Sequence, residues 1–300
     1  MRLFNTLCIE ISARCNRKCG FCPVAYNTRP DEQMSDMVYN AIVDELASID
    51  YRGRVELYIY NEPLKDFARC LNILADIRYR VPKACLMIAT NGDYLRGATQ
   101  IVQLYEAGLN QLLINCYSPG LFQKRMQWLA DIPPEVDITT GNVYNNTGRK
   151  KRVIQMLDKA DPAAFGVGVF RLVNRAGNLP ADAGLAVLEA PIERMCVKPF
   201  RIFNINWQGV AMVCCQDYHG DMGFGNVPET SLVNLWNHPV MNTYREHLLR
   251  KDRSLPLCEK CDCHSGAYPN NVDKDFADDV PATTVRKLYE LNVSKRKSPT

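Results

Sequence analysis

The stretch Cys15-Asn16-Arg17-Lys18-Cys19-Gly20-Phe21-Cys22 decides how the chain is read, because it places three thiols within eight residues of one another. Just ahead of it, Leu7, Ile9 and Ile11 alternate with Cys8, Glu10 and Ser12, the period of a strand. The cysteines therefore occupy the loop at that strand's C-terminal end. Three thiolates do not close a four-coordinate site, and His219, His238, His247 and His264 all lie far downstream. An iron-sulfur cluster held by three cysteines, with one iron left open, suits the count; a zinc or structural thiol knot is the alternative.

After a polar, proline-bearing segment, Val38, Ile42, Leu46 and Ile49 recur at helical spacing behind a cap at Ser35 or Asp36. The same unit then repeats. Strands are predicted at 54–60, 85–90, 112–117, 136–143 and 166–173, with helices at about 65–80, 96–107 and 119–131 and another opening on Arg149-Lys150-Lys151-Arg152. Strands alternating with helices predict a parallel α/β architecture whose functional residues gather at the strands' C-terminal ends. Periodicity does not choose between an open doubly wound sheet and a curved barrel.

The bulk properties are those of a globular chain with a substantial core: 300 residues, 47% hydrophobic. A net charge of +3 argues against nucleic acid as an obligatory partner. No stretch reaches the roughly 18 apolar residues that span a bilayer, and residues 1–12 do not read as a leader, so a cytoplasmic protein without a membrane partner is expected. Thirteen cysteines in such a chain point to metal ligation rather than disulfides. Seven fall into ligand-like clusters. Cys8, Cys70, Cys85, Cys116, Cys215 and Cys263 are read as small buried hydrophobes.

A second constellation, Cys196, Cys214 or Cys215, and Cys258-x2-Cys261, supplies four thiolates, a complete site for zinc or for a four-iron cluster. It follows a segment at 174–195 without steady periodicity, where a domain boundary is expected. Residues 202–207 and 210–214 flank Gln208-Gly209 and read as a hairpin; helical spacing through Leu232, Leu235, Trp236, Val240, Tyr244 and Leu248 is adjusted at Pro239. A polar tail closes the chain. The resulting division is 1–180, 181–268 and 269–300.

The C-x3-C-x-Φ-C loop, with Phe21 before its last cysteine, resembles the signature of the radical S-adenosylmethionine (radical SAM) enzymes. The resemblance implies a partial (βα)6 TIM-type barrel, a [4Fe-4S] cluster on Cys15, Cys19 and Cys22, and SAM on the open iron. SAM contacts would then come from Phe21, from Tyr60-Asn61-Glu62-Pro63, where Asn61 replaces a customary glycine, from Thr90-Asn91-Gly92, and from Asn115. The second constellation is similar to the Twitch form of the SPASM domain, which wraps one more [4Fe-4S] cluster; Gly225-Asn226-Val227 and Leu235-Trp236 fit that pattern too. It implies ligation by Cys196, Cys214, Cys258 and Cys261, with Cys215 turned toward the active site.

Within the family, the likeness to an aminocyclitol dehydrogenase of natural-product biosynthesis runs from Leu3 to about Cys263. It implies hydrogen abstraction from a carbinol carbon of a small-molecule substrate, with Arg175 of Asn174-Arg175-x-Gly177 beside that substrate and the auxiliary cluster as electron acceptor. Cys215 and Gln216 stand where that enzyme has phenylalanine and glutamate, so a different substrate is expected. Catalytic candidates are Arg175, Cys215 and Gln216. A flavodoxin- or ferredoxin-type donor is implied for the first cluster. Alternatives are an epimerase of a sugar or peptide using Cys215, Cys116 or Cys263 as hydrogen donor, another peptide-modifying radical enzyme, or a two-zinc structural module.

Overall fold

The computed structural model describes residues 3–140, 152–159, 173–183 and 188–263. Its strands are β1 (Thr6–Ile9), β2 (Arg54–Glu56), β3 (Cys85–Thr90), β4 (Gln111–Cys116), β5 (Val136–Thr140), β6 (Arg152–Asp158), β7 (Ile202–Ile205), β8 (Val210–Met212) and β9 (Gly223–Asn226). They join into one sheet, in the order β5-β6-β4-β3-β2-β1-β7-β8-β9. β1 through β7 pair in parallel, and β8 and β9 continue antiparallel. The helices are α1 (Asp36–Ser48), α2 (Phe67–Arg80), α3 (Ala98–Glu106), α4 (Leu121–Met126), α5 (Lys198–Arg201), α6 (Leu232–Trp236) and α7 (Pro239–Leu249).

Local chemistry accounts for these elements. Ser35 caps α1 by accepting a hydrogen bond from the Val38 amide, and Val38, Ile42, Val43 and Leu46 form the buried stripe of that helix. β4 is buried at every position, the mark of a parallel strand covered on both faces. Phe4, Phe203 and Trp236 pack with ring centroids 5.3–5.6 Å apart and Tyr51 closes on Phe4, so the strand β1, the strand β7 and the helix α6 share one core.

Several expectations are corrected. The strand expected over 54–60 ends at Glu56, because Asn61 Oδ1 accepts from the Ile59 amide while its Nδ2 donates to the Leu57 carbonyl, bending the chain off the ladder. The expected helix at 119–131 is α4 followed by a tighter 3-10 turn, Gln127–Asp131. No helix starts at Arg152: residues 152–158 are β6, inserted between β4 and β5. Val153, Ile154, Met156 and Leu157 are all buried, as an interior strand requires, whereas β5 leaves Ile138 42% exposed and takes the edge. Residues 149–151 and 166–172 lie outside the described residues, as does the tail expected at 269–300.

The predicted hairpin is present, as β7 and β8. Asn206 Oδ1 accepts from the amides of Gln208 and Val210, and Gly209 turns with φ +89°; a Cβ there would meet the Val227 carbonyl at 2.6 Å. Through β7 the hairpin adds directly to the parallel sheet rather than packing on it.

Candidate active site between two cysteine clusters

Cys15, Cys19 and Cys22 are half-buried in the loop that follows β1. Burial raises all three thiols, that of Cys15 to about 11. The loop is tied to the end of β3. Arg17 donates to both carboxylate oxygens of Asp93 at 2.6 Å, Asn16 donates to the same carboxylate at 2.9 Å, and Asn91 Nδ2 donates to Asn16 Oδ1 at 2.8 Å. Arg125, from α4, completes the cage on Asp93 at 3.0 Å and on the Asn91 carbonyl at 2.7 Å.

The expected SAM residues come together at these strand ends. Glu62 accepts from the Thr90 hydroxyl at 2.6 Å, the Asn91 amide at 2.8 Å and the Leu64 amide at 3.1 Å. Burial nevertheless raises its carboxyl to about 7. Asn115 is buried, and its Oδ1 has no hydrogen-bond partner. Tyr60 donates its amide to Glu10, and its buried hydroxyl is likewise unpartnered. Asn61 is spent on its own backbone. Phe21 stacks at a tilt on Tyr117, 5.3 Å between centroids.

Sequence reasoning passed over a third layer. Arg29 and Glu10 form an enclosed bidentate pair at 2.6 and 2.9 Å, with the guanidinium 4.3 Å from the Trp207 ring and 4.7 Å from that of Tyr218. Glu10 directly follows β1; its position in the strand pattern was visible, but its partner nineteen residues on was not.

The second constellation surrounds a small cavity lined by Cys196, Cys214, Cys258, Cys261 and Cys263, with Leu248 and Leu257 among its walls. Arg253 ties this loop together, donating to the carbonyls of Cys261 at 3.3 Å and Cys263 at 2.9 Å. Burial pushes the Cys258 thiol up to about 12, and a hydrogen bond with Cys263, followed by burial, raises Cys261. Cys215 is not among the cavity's lining residues; its sulfur lies 3.7 Å from Lys198 Nζ, and its charge is felt at Cys8, Tyr60 and Arg175.

Residues 174–178 bridge the two centres. Asn174 takes the Asp262 carboxylate on its amide at 2.8 Å and donates to the Lys260 carbonyl at 2.7 Å. Arg175 Nε reaches the Phe21 carbonyl at 3.5 Å, and Asn178 donates to the Gln216 carbonyl at 2.8 Å. Arg175 and Ala176 both hold positive φ, +54° and +55°, a costly arrangement for consecutive side-chain-bearing residues. Gln216 is buried, with Oε1 unpartnered.

Both donor sets fit iron-sulfur clusters. Among the described residues no three His, Cys, Asp or Glu converge as around a single ion, and a cluster whose thiolates bind separate irons needs no such convergence. Buried thiols raised above their usual range also discharge their protons when metal binds. For SAM, the unpartnered Asn115 Oδ1 is an acceptor suited to a hydroxyl.

Residues 196–262 match the SPASM family, an iron-sulfur cluster-binding domain. The chain is 24% identical over 267 residues to the S-adenosyl-L-methionine-dependent 2-deoxy-scyllo-inosamine dehydrogenase of Niallia circulans, covering 87% of this chain and 93% of that protein. Its fold is that of BtrN. It superposes on the crystal structure with AdoMet and 2-DOIA with a TM-score of 0.67 at 21% identity, over 87% of this chain and 94% of that one. On an open conformation of BtrN the score is 0.61 at 19% identity, over 90% and 97%. The expected partial (βα)6 TIM-type barrel followed by an iron-sulfur-domain segment is thus borne out in fold. Among the described residues no helix is long and apolar enough to cross a membrane.

Proposed function

We propose that the chain is a radical SAM oxidoreductase with two [4Fe-4S] clusters that dehydrogenates a small polar substrate of the aminocyclitol or sugar-alcohol class. The placement of the three-cysteine loop and the cysteine-lined cavity on either side of the 174–178 bridge carries this reading. When bound, the clusters and SAM supply a carbon-centred radical that takes hydrogen from a carbinol and an acceptor for the electron left behind, giving a ketone with loss of a proton.

The chain's own residues hold and orient. Cys15, Cys19 and Cys22 bind the first cluster, and the Asp93 cage fixes their loop. Thr90 and two backbone amides orient Glu62, in the loop that follows β2, for the cofactor's ammonium, and Asn115 accepts from a ribose hydroxyl. Cys196, Cys214, Cys258 and Cys261 hold the second cluster in a cavity whose walls combine Pro199, Val213, Leu248 and Leu257 with Lys198, Gln216 and Arg253. Cys214 is chosen over Cys215 because it lines the cavity and its neighbour does not. Arg175, between the clusters, positions the substrate.

A redox-neutral epimerase is the second reading, favoured by the thiol of Cys215, which lies outside the ligand cavity near Arg175 and Tyr60. Anaerobically reconstituted protein should hold about eight irons. Stoichiometric zinc with little iron would sink both readings. Turnover in deuterated water then separates them: a dehydrogenase gives a product two hydrogens lighter, an epimerase places solvent deuterium on carbon.

A further inference from the structure

Arg253 reaches the second cysteine cavity from the loop that follows α7. It is 2% exposed and lines the cavity together with Cys258 and Cys261. Two of its three side-chain nitrogens are accounted for. Nε donates to the Arg194 carbonyl at 2.8 Å, and Nη1 donates to the carbonyls of Cys261 at 3.3 Å and Cys263 at 2.9 Å. Nη2 is buried and, among the described residues, has no hydrogen-bond partner. A guanidinium N–H kept from water without an acceptor costs more than an ordinary hydrogen bond contributes.

The charge is as uncompensated as the N–H. Every acceptor that Arg253 meets among the described residues is a neutral carbonyl, and a buried cation is costly without an anion beside it. The cavity's lining holds a second cation, Lys198, whose Nζ is 3.7 Å from the Cys215 sulfur, and no carboxylate. Bracing the loop accounts for Nε and Nη1 and leaves Nη2 without a role. A four-thiolate cluster in this cavity presents what the guanidinium lacks, a negative charge and sulfur acceptors. Each electron it takes adds negative charge, which a donated hydrogen bond and a neighbouring cation stabilise. Resting on the oxidoreductase reading, we propose that Arg253 donates through Nη2 to a sulfur of the second cluster and so raises its reduction potential. The substrate's carbinol radical loses a proton and one electron to become the ketone, and that electron goes to the cluster. Arg253 fits the second centre to accept it.

The test uses the full chain carrying C15A, C19A and C22A, so that the second cluster alone reports, and follows its EPR signal through an anaerobic redox titration. R253M should lower the reduced-to-oxidised ratio at a fixed potential about ten-fold, a shift of about 59 mV to lower values for one electron, and R253K should stay nearer the parent. R253M also loses the carbonyl bonds, so a second readout separates tuning from bracing. With guanidino-15N arginine incorporated, hyperfine spectroscopy of the reduced parent should show a nitrogen coupling that R253K and R253M lack. That measurement is made on the parent and decides the matter even if R253M fails to hold iron. An unmoved potential in R253M, or a parent without the 15N coupling, refutes the hydrogen bond. Metal content reports separately on the underlying reading: about four irons without the arginine coupling lose only the tuning role, whereas zinc in place of iron removes the cluster and the proposal with it.

Discussion

Replacing Asp93 with asparagine should loosen the N-terminal cysteine loop, and its cost can be worked from the cage. The carboxylate takes two hydrogen bonds from Arg17 at 2.6 Å, one from Asn16 and one from Arg125. The amide keeps one acceptor oxygen and turns an NH2 group toward donors. Removing one member of a buried ion pair costs about 3–5 kcal/mol, since the remaining charge stays desolvated. The Asp93 side chain is 27% exposed and that of Arg17 19%, so water screens part of the loss; the Arg125 side chain, at 4%, receives little relief. Asp93→Asn should therefore destabilise apoprotein by about 2–3 kcal/mol in urea unfolding at pH 7.

Arg17→Met should cost about 1–2 kcal/mol, with the double mutant falling short of the sum by about 1 kcal/mol or more. Because Arg17 and Asn16 lie between Cys15 and Cys19, iron loss to a chelator should also accelerate in reconstituted Asp93→Asn. The partners hold the Asp93 carboxyl below its usual range against the opposing effect of burial. Its contribution is thus present above the unfolded value and lost only as pH falls through the depressed one, so the deficit should be the same at pH 5.5 as at pH 7. Strict additivity of the two substitutions, with unchanged iron retention, would refute the cage.

Three further outcomes are expected. Cys214→Ala should lower iron by about four per chain while Cys215→Ala keeps it; the reverse would exchange their roles. Burial raises Glu62 above its unfolded value, so the folded chain binds more protons between about pH 4.5 and 7 and loses stability as pH rises through that window; Glu62→Gln should flatten the slope there in urea titrations, and an unaltered slope would place the titration elsewhere. Arg175→Ala should reduce substrate turnover more than substrate-independent SAM cleavage, and equal loss of both would contradict a substrate role.

The strand-helix alternation was legible because β1, β3 and β4 carry apolar runs of ordinary length bounded by polar turns. The ligand loop was singled out by its cysteine spacing after a strand, and Glu62 and Thr90-Asn91 by their likeness to family motifs as well as their place after strands. β6 was hidden by its basic approach, since Arg149-Lys150-Lys151-Arg152 reads as a solvated helix face while the deciding feature, burial on both sides, is tertiary. The Arg29–Glu10 pair and the Asn174–Asp262 bond join distant segments without a local pattern. Cys214 and Cys215 sit in the turn after β8, where the Asp217 amide donates to the Cys214 carbonyl, and no local sequence pattern tells which of two adjacent thiols faces the cavity.

The hydrogen bonds that splice β7 onto β1 have a further meaning. Leu7 faces Phe203 and Asn204 faces Met212, so the strand that leads into the first cysteine loop and the hairpin that leads into the second centre belong to one continuous sheet. Under the proposed function, the gap an electron crosses is set within that sheet, not by how two domains happen to dock. A hinge can widen the space for substrate without lengthening that electrical path, and a mutation meant to detune it must break the sheet.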